Sequence, residues 1–400
     1  MLSARNQVEI TPYLSIMDMN RVARTQQVAV FGESGSGKTV LLSAFYGAAL
    51  EPSANASRPY DIVADDAGQG TRLHQNYLGM KNSGSRPATN RFASTSYSFA
   101  VKKRQGAKSL KGQGKAAPDL RLIWHDYPGE WFEQEPTSAE EAARRLTTFE
   151  ALLTSYVALI LVDGKKMLDN AGEEERYLKA LFSNIRNAFL KLEGSVLKGG
   201  KRRVTFPRIW MVGLSKSDLR PELDVVGLRD LIVEKAGAEI SQLRDTIATF
   251  VEDPDALSVG EDFVITSSAR FEPGAIDVSK RIGVDLVLPI AAMLPYSRFI
   301  KWARALRDGS KVAEHLVKVA SPVLVALISK VKLPGPLKVI QVLLSAKMIK
   351  EFVDLSQERI REVHQDSEAR HDFLTATLTG FQLDLNAAVE AKVLYRSPKA

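Results

Sequence analysis

The chain has 400 residues, of which 45% are apolar and 25% charged, and these fractions are typical of a globular protein that buries a sizeable core. The absence of cysteine excludes disulfides and thiolate metal sites, and no two of the five histidines have metal-ligand spacing. The net charge of +7 favours anionic partners such as nucleotides, nucleic acids or anionic lipids.

Short apolar runs alternate with helical patterns along the first three quarters of the chain. Strands are predicted at 27–31, 95–101, 120–125, 157–162, 208–214 and 262–266. Helices are predicted at 38–50, 138–155, 173–192, 226–250 and 284–306. Strands that alternate with helices indicate an α/β fold whose parallel sheet is covered on both faces.

Two stretches depart from this alternation. Residues 51–94 are polar and rich in Gly, Ser, Asn and Pro, so we predict a long connection there. Residues after 307 show only helical patterns, which are interrupted by prolines. The sequence therefore predicts three parts: a lead-in at 1–25, an α/β domain at 26–306 and a helical tail at 307–400.

The segment between the first strand and the first helix matches GxxxxGK[ST], the P-loop pattern. Its residues are Gly32, Glu33, Ser34, Gly35, Ser36, Gly37, Lys38 and Thr39. In such a loop, backbone N–H groups converge on a phosphate, and the start of the next helix, including Val40, adds positive potential. We expect Lys38 to reach the β- and γ-phosphates and the Thr39 hydroxyl to bind Mg²⁺. A plain glycine-rich turn is the alternative.

A second phosphate-side motif, Asp-x-x-Gly, follows the strand predicted at 120–125. Asp126 is expected to hold Mg²⁺ through water, and the N–H of Gly129 to meet the γ-phosphate. An ordinary turn uses the same residue types. The position of the motif one strand after the P-loop favours the metal interpretation.

A candidate base-recognition motif follows the strand predicted at 208–214. Ser215, Lys216 and Asp218 resemble the Asn/Thr-Lys-x-Asp box of GTPases. An Asp carboxylate accepts from both N1–H and N2–H₂ of guanine, whereas adenine would leave it unpaired. The stem of Lys216 is expected to lie over the base, and the Ser215 hydroxyl to bond the P-loop backbone. A helix N-cap is the alternative.

The last motif, Ser-Ser-Ala-Arg at 267–270, follows the strand predicted at 262–266. Its residues Ser268 and Ala269 resemble the Ser-Ala-Lys loop of GTPases, in which the Ala N–H bonds the guanine O6. Each of the four motifs lies at the carboxyl end of a strand, which is where ligands bind in open α/β sheets.

Together the four motifs resemble the TRAFAC class of P-loop GTPases. The run Asp-Tyr-Pro-Gly-Glu-Trp at 126–131 is similar to the bacterial YcjX-like proteins and the related double-GTPase domains. The resemblance covers about residues 25–306. It implies a Ras-like P-loop NTPase three-layer sandwich with a C-terminal helical extension, Mg²⁺ and GTP as ligands, and GTP hydrolysis.

The resemblance also implies residues that act on the γ-phosphate beside Lys38. A Thr on a mobile loop closes over Mg²⁺, and Thr89 is the first candidate, with Thr95 as its rival. Glu130 occupies the position of a water-positioning Gln, so it is either a catalytic residue or a switch residue that pairs with a cation. Arg91 or an external activator would supply an arginine finger, so intrinsic turnover is expected to be slow.

Three functions are consistent with these motifs. The first is a GTP-hydrolysing switch with GTP and GDP as ligands and a protein partner or activator that reads the change. The second is an ATPase of the same fold, and the third is a scaffold that binds nucleotide without hydrolysing it. The Lys-x-Asp pair argues against the second, and the retained phosphate residues argue against the third.

Basic segments bear on location and partners. Lys and Arg cluster at 102–115 and 198–203, and Lys residues interrupt the apolar runs of 312–348. Solvated loops and an internally packed tail are the preferred interpretation, with an anionic membrane surface or nucleic acid as the alternative. The start lacks a signal-peptide pattern, so we expect a cytoplasmic protein, with peripheral membrane association as the alternative.

Overall fold

The structure is a computed structural model that describes residues 25–52, 58–85, 87, 95–104, 120–126, 129–132, 134–197, 200–272, 275–306, 310–327, 357–369 and 373–398. The described strands are β1 Thr25–Phe31, β2 Tyr60–Ala64, β3 Thr95–Lys103, β4 Leu120–Asp126, β5 Val157–Asp163, β6 Ile209–Ser215, β7 Ser258–Ile265, β8 Arg270–Glu272, β9 Ala275–Asp277 and β10 Leu394–Tyr395. The described α-helices are α1 Lys38–Ala49, α2 Ala67–Ser83, α3 Ala139–Leu152, α4 Gly164–Asp169, α5 Glu174–Val196, α6 Val225–Phe250, α7 Val287–Ala305, α8 Lys311–Leu327, α9 Gln357–Ala369 and α10 Phe373–Glu390.

Eight of the described strands form one mixed sheet in the order β10-β7-β6-β5-β1-β4-β3-β2. The central strands β4, β1, β5, β6 and β7 are parallel, whereas β3, β2 and β10 pair antiparallel with their neighbours. The carboxyl ends of the parallel strands therefore meet at one edge of the sheet. The loops that carry the four sequence motifs leave from that edge.

Both faces of the sheet are buried, because alternate residues of the central strands point into two different cores. On β1, Val28 and Val30 face a core formed with α1, α7, α8 and α10. Ala29 and Phe31 face a second core, formed with α3, α5 and α6. The predicted three-layer α/β sandwich is therefore confirmed, and the helices α8, α9 and α10 follow its central strands along the chain.

The prediction of one long connection at 51–94 is wrong, because this stretch contains β2 and α2. The Asp66 side chain caps α2 by accepting from the Gln69 amide at 2.8 Å. The large side chains that this helix buries are Leu73, Tyr77 and Met80, which are spaced so that they lie on one helix face. The other faces carry polar residues, so the segment as a whole has a polar composition.

The tail is not purely helical. Leu394 and Tyr395 form β10, which extends the sheet at β7, and α10 places Phe381 and Leu385 in the same core as α7. A two-residue strand is too short to produce a detectable alternation pattern. The division at residues 25 and 306 stays a prediction, since residues 1–24 and 307–309 lie outside the described ranges.

A buried ion pair fixes the end of the chain beside the sheet. Arg298 of α7 donates to both carboxylate oxygens of Asp262 on β7, one of them at 2.6 Å, and both side chains are almost fully buried. The Ser397 amide donates to the same carboxylate at 3.1 Å. Among the described helices, none is long and apolar enough to cross a bilayer.

Candidate functional site

The P-loop lies between β1 and α1 at the carboxyl edge of the sheet. Gly35 and Gly37 have φ values of +77° and +93°, the left-handed region that favours glycine. Gly37 also precedes α1 without any side-chain cap at the helix start. The first turn of α1 thus directs its N–H groups towards a position where a phosphate can bind.

The Lys38 ammonium folds back over this loop. It donates to the Gly32 carbonyl at 2.7 Å and to the Glu33 carbonyl at 3.0 Å, and the residue is buried. These two bonds place a cation against the loop backbone. A polyphosphate bound in the loop would therefore meet the ammonium and the amides together.

Thr39 and Asp126 come together as the metal prediction requires. Because β4 is the parallel neighbour of β1, its carboxyl end brings Asp126 beside the P-loop, and the Thr39 hydroxyl donates to Asp126 Oδ2 at 3.4 Å. No cluster of three or more His, Cys, Asp or Glu within the described ranges is suited to a metal ion. One hydroxyl and one carboxylate fit Mg²⁺ only when phosphates complete its shell, which is how Mg²⁺ is usually held in such sites.

The two threonine candidates differ in what the structure describes. Thr89 lies outside the described residues, as does Arg91. Thr95 begins β3, and its backbone pairs in register with Asp126. The choice between Thr89 and Thr95 stays a prediction.

Gly129 and Glu130 contact the P-loop directly. A Cβ on Gly129 would lie 2.3 Å from the Ser34 nitrogen and 2.6 Å from the Glu33 carbonyl oxygen, so only glycine fits this approach. The Ser34 hydroxyl donates to Glu130 Oε1 at 2.7 Å. Tyr127 and Pro128, between Asp126 and this contact, lie outside the described residues.

His125, the residue before Asp126, was missed by sequence reasoning. Ser96 Oγ lies 2.8 Å from its Nδ1, and Gln27 Oε1 lies 3.3 Å from its Nε2. Burial lowers the pKa of His125 to about 4, so the ring is neutral at pH 7. A polar residue directly after the apolar run at 122–124 and directly before Asp126 was the available signal. The neutral ring supports the strand end that presents Asp126.

The base-recognition motif forms a tight turn after β6. Lys216 has φ +53°, and its ammonium lies 2.7 Å from Asp163 Oδ2, at the end of β5. The Ser215 hydroxyl donates to the Val162 carbonyl at 3.2 Å. This bond uses the only hydroxyl proton, but the hydroxyl oxygen can still accept, so the expected bond between Ser215 and the P-loop backbone stays a prediction.

Asp218 is held by two donors, one in the last motif and one in the residue that follows it. Ser267 Oγ donates to its Oδ1 at 2.7 Å, and the Phe271 amide donates to its Oδ2 at 3.2 Å. A carboxylate has about four acceptor sites, so both oxygens retain capacity for two donors of a base. The last motif includes Ser267, but the sequence assigned this residue no role, and its bond to Asp218 is found only in the structure.

Ser268 and Ala269 lie beside this contact, because the Ser267 backbone pairs with Ile282 and the chain then turns towards β8. Ser268 is partly exposed, whereas the Ala269 side chain is fully buried against Tyr77 and Met80 of α2. The contact of their amides with a base stays a prediction.

Comparison with known proteins assigns no family. No family model matches the chain, and no curated protein matches it. A solved structure, "Signal recognition particle receptor SRb-GTP/SRX complex from Chaetomium thermophilum", is 18% identical, covers 62% of this chain and 92% of that chain, and has a TM-score of 0.31. A similarity this distant does not bear on function, so the assignment depends on the geometry of the site.

Proposed function

We propose that this protein is a Mg²⁺-dependent P-loop nucleoside triphosphatase that binds GTP, hydrolyses it slowly and acts as a molecular switch. The observation that carries the proposal is the convergence of four strand-end motifs at one edge of the sheet. Lys38 and Thr39 lie beside Asp126, while Asp218 is held by Ser267. Phosphate, metal and base would then bind as one ligand across that edge.

Each residue of the phosphate side has a distinct task. The amides of residues 34–39 surround the β-phosphate, Lys38 stabilises the charge on the β- and γ-phosphates, and Thr39 and Asp126 hold Mg²⁺. The metal, when bound, neutralises charge on the phosphate oxygens as the γ-phosphate is transferred to water. The uncapped start of α1 and the 3.4 Å separation between Thr39 and Asp126 support this arrangement.

Guanine is the proposed base. Asp218 accepts from N1–H and N2–H₂ of guanine with the acceptor capacity that Ser267 and Phe271 leave. Adenine offers no matching pair of donors, so it would leave this carboxylate without a partner in the bound state. The stem of Lys216 covers the base, and the amides of Ser268 and Ala269 approach its O6.

Hydrolysis and switching are assigned to the segments around Gly129 and Thr89. Gly129 donates its N–H to the γ-phosphate, Glu130 orients the attacking water, and Thr89 closes over the metal. A carboxylate at position 130 also repels the γ-phosphate. Slow turnover is proposed because the arginine finger would have to come from Arg91 or from an external activator. The contact of Gly129 and Glu130 with Ser34 supports a segment that senses the occupied loop.

The partner, the family and the cellular location are proposed only in general terms. A protein partner or activator would read the change. A place among the TRAFAC GTPases is proposed from the order of the four motifs, and a place near the YcjX-like proteins from the run at 126–131. A cytoplasmic location is proposed with it. Binding of the basic segments to an anionic membrane or to nucleic acid is the weaker proposal, since residues 105–119 lie outside the described ranges.

Titration and hydrolysis assays distinguish the three functions. Purified protein is titrated with fluorescent GTP and ATP analogues in Mg²⁺, and phosphate release is then followed with Lys38→Ala as the control. Preference for GTP with release above the control supports the switch. Preference for ATP indicates the ATPase, and tight binding with release equal to the control indicates the scaffold.

A further inference from the structure

Glu33 presents an electrostatic problem within the P-loop. Its carboxylate is buried, and it belongs to the same short loop as Lys38, whose ammonium donates to the Glu33 carbonyl. A negative charge beside a polyphosphate opposes binding, and it does so most strongly where the loop excludes water. The loop therefore needs a cation that neutralises Glu33 without withdrawing Lys38 from the phosphates.

Lys166 of α4 is that cation. Its ammonium lies 2.6 Å from Glu33 Oε2, with 38% of the Lys166 side chain exposed but only 9% of the Glu33 side chain. The same ammonium lies 5.9 Å from the centre of the Tyr177 ring, which fixes the direction of the flexible side chain. The ion pair between Lys166 and Glu33 is thus partly desolvated and lies against the phosphate loop.

The short helix α4 reaches this position because its first residue lies against the base-recognition turn. A Cβ on Gly164 would lie 2.6 Å from the Ser215 carbonyl oxygen and 2.8 Å from the Lys216 carbonyl oxygen, both backbone atoms. Only glycine permits such an approach. The start of α4 is therefore fixed against residues 215–216, two residues before Lys166, which contacts Glu33.

Asp163, which caps α4, makes the corresponding contact on the base side. Its Oδ1 accepts from the Lys165 amide at 2.9 Å and its Oδ2 from Lys216 at 2.7 Å, and the carboxylate is buried. The Asp163 amide in turn donates to the Tyr177 hydroxyl at 2.8 Å. Asp163 and Lys166 are three residues apart, which is about one helical turn. Their ion pairs with Lys216 and with Glu33 thus connect the base turn to the phosphate loop.

We propose that Asp163 and Lys166 are positioning residues of the nucleotide site, through which α4 fixes the phosphate loop relative to the base turn and cancels the charge of Glu33. The inference depends on the proposed nucleotide binding and adds two residues that none of the four motifs includes. Neither side chain touches the nucleotide; each acts through a residue that does.

The test measures the affinity of purified full-length protein for a fluorescent GDP analogue in Mg²⁺. Lys166→Ala leaves the Glu33 carboxylate without its cation and is expected to weaken binding of the analogue by about tenfold. Lys166→Ala/Glu33→Gln removes that charge and is expected to recover most of the loss, and Lys166→Arg keeps the cation. Lys165→Ala is the matched control, because Lys165 pairs with Asp169 on the exposed side of α4.

The outcomes separate this inference from the function it depends on. The positioning role is supported if the double variant binds the GDP analogue more tightly than Lys166→Ala does. Circular dichroism must also show that all variants are folded. An unchanged affinity for Lys166→Ala overturns this role, and so does a double variant as weak as the single one, since a purely structural lysine would not be rescued by removing Glu33. Wild-type protein that binds no nucleotide refutes the proposed function instead.

Discussion

Gly129→Ala is the substitution whose effect follows most directly from the geometry. The added methyl would lie 2.3 Å from the Ser34 nitrogen and 2.4 Å from the Glu33 carbonyl carbon. Both are backbone atoms of the P-loop, so neither contact is relieved by rotating a side chain. Gly129 does not adopt a left-handed φ, so its own backbone tolerates alanine and steric overlap is the dominant effect.

The expected magnitude has two parts. Overpacking costs about 1–3 kcal/mol of the free energy of unfolding. Loss of the N–H contact with the γ-phosphate, a hydrogen bond to a charged group, should weaken GTP relative to GDP by about tenfold or more. Urea denaturation followed by circular dichroism measures the first effect, and competition between fluorescent GTP and GDP analogues measures the second.

Gly194→Ala is the control for this substitution. Gly194 lies in α5, and a Cβ there has no atom within 4 Å. This variant is expected to be unchanged or up to about 1 kcal/mol more stable, because alanine is the better helix former. If Gly129→Ala unfolds at the same urea concentration as Gly194→Ala and binds GTP and GDP in the wild-type ratio, the contact between the two loops is not as described.

Three further predictions concern the base, the ion pair and the pH response. Asp218→Asn should lose the preference for GTP over ATP in titration while keeping the fold, and an unchanged preference would contradict the base assignment. Arg298→Met leaves the buried Asp262 carboxylate without its cation and should lower the free energy of unfolding by about 3–5 kcal/mol, whereas Arg298→Met with Asp262→Leu should recover much of that loss. His125 has a pKa of about 4 in the folded protein, against 6.5 for the free side chain. The unfolded chain therefore binds more protons between these two pH values. The free energy of unfolding should fall by up to about 3 kcal/mol as the pH drops from 6.5 to 4. His125→Gln should flatten that pH profile, and an identical profile would exclude the buried ring as its source.

The sequence predicted the parts of the fold that depend on local pattern. The central strands are buried on both faces, so they read as uninterrupted apolar runs such as that of β5. The P-loop is a contiguous motif whose residue types follow from close backbone approach to a phosphate. These features were identified because their causes lie within about ten consecutive residues.

The missed features depend on contacts between distant segments. α2 is polar in composition because only one narrow face is covered, and β10 is two residues long. The bond between Ser267 and Asp218 joins residues 49 positions apart, and the pair of Lys166 with Glu33 spans 133 positions. Residue type alone does not specify such partners, since an exposed lysine and a loop glutamate are common anywhere on a surface.

Nucleotide binding at the P-loop is tested by titrating the purified protein with fluorescent GTP and ATP analogues in Mg²⁺ and repeating the titration with Lys38→Ala. We expect saturable binding that favours GTP over ATP by at least about 100-fold, and we expect Lys38→Ala to abolish it. Failure to retain either nucleotide, or equal binding by wild type and Lys38→Ala, would contradict it.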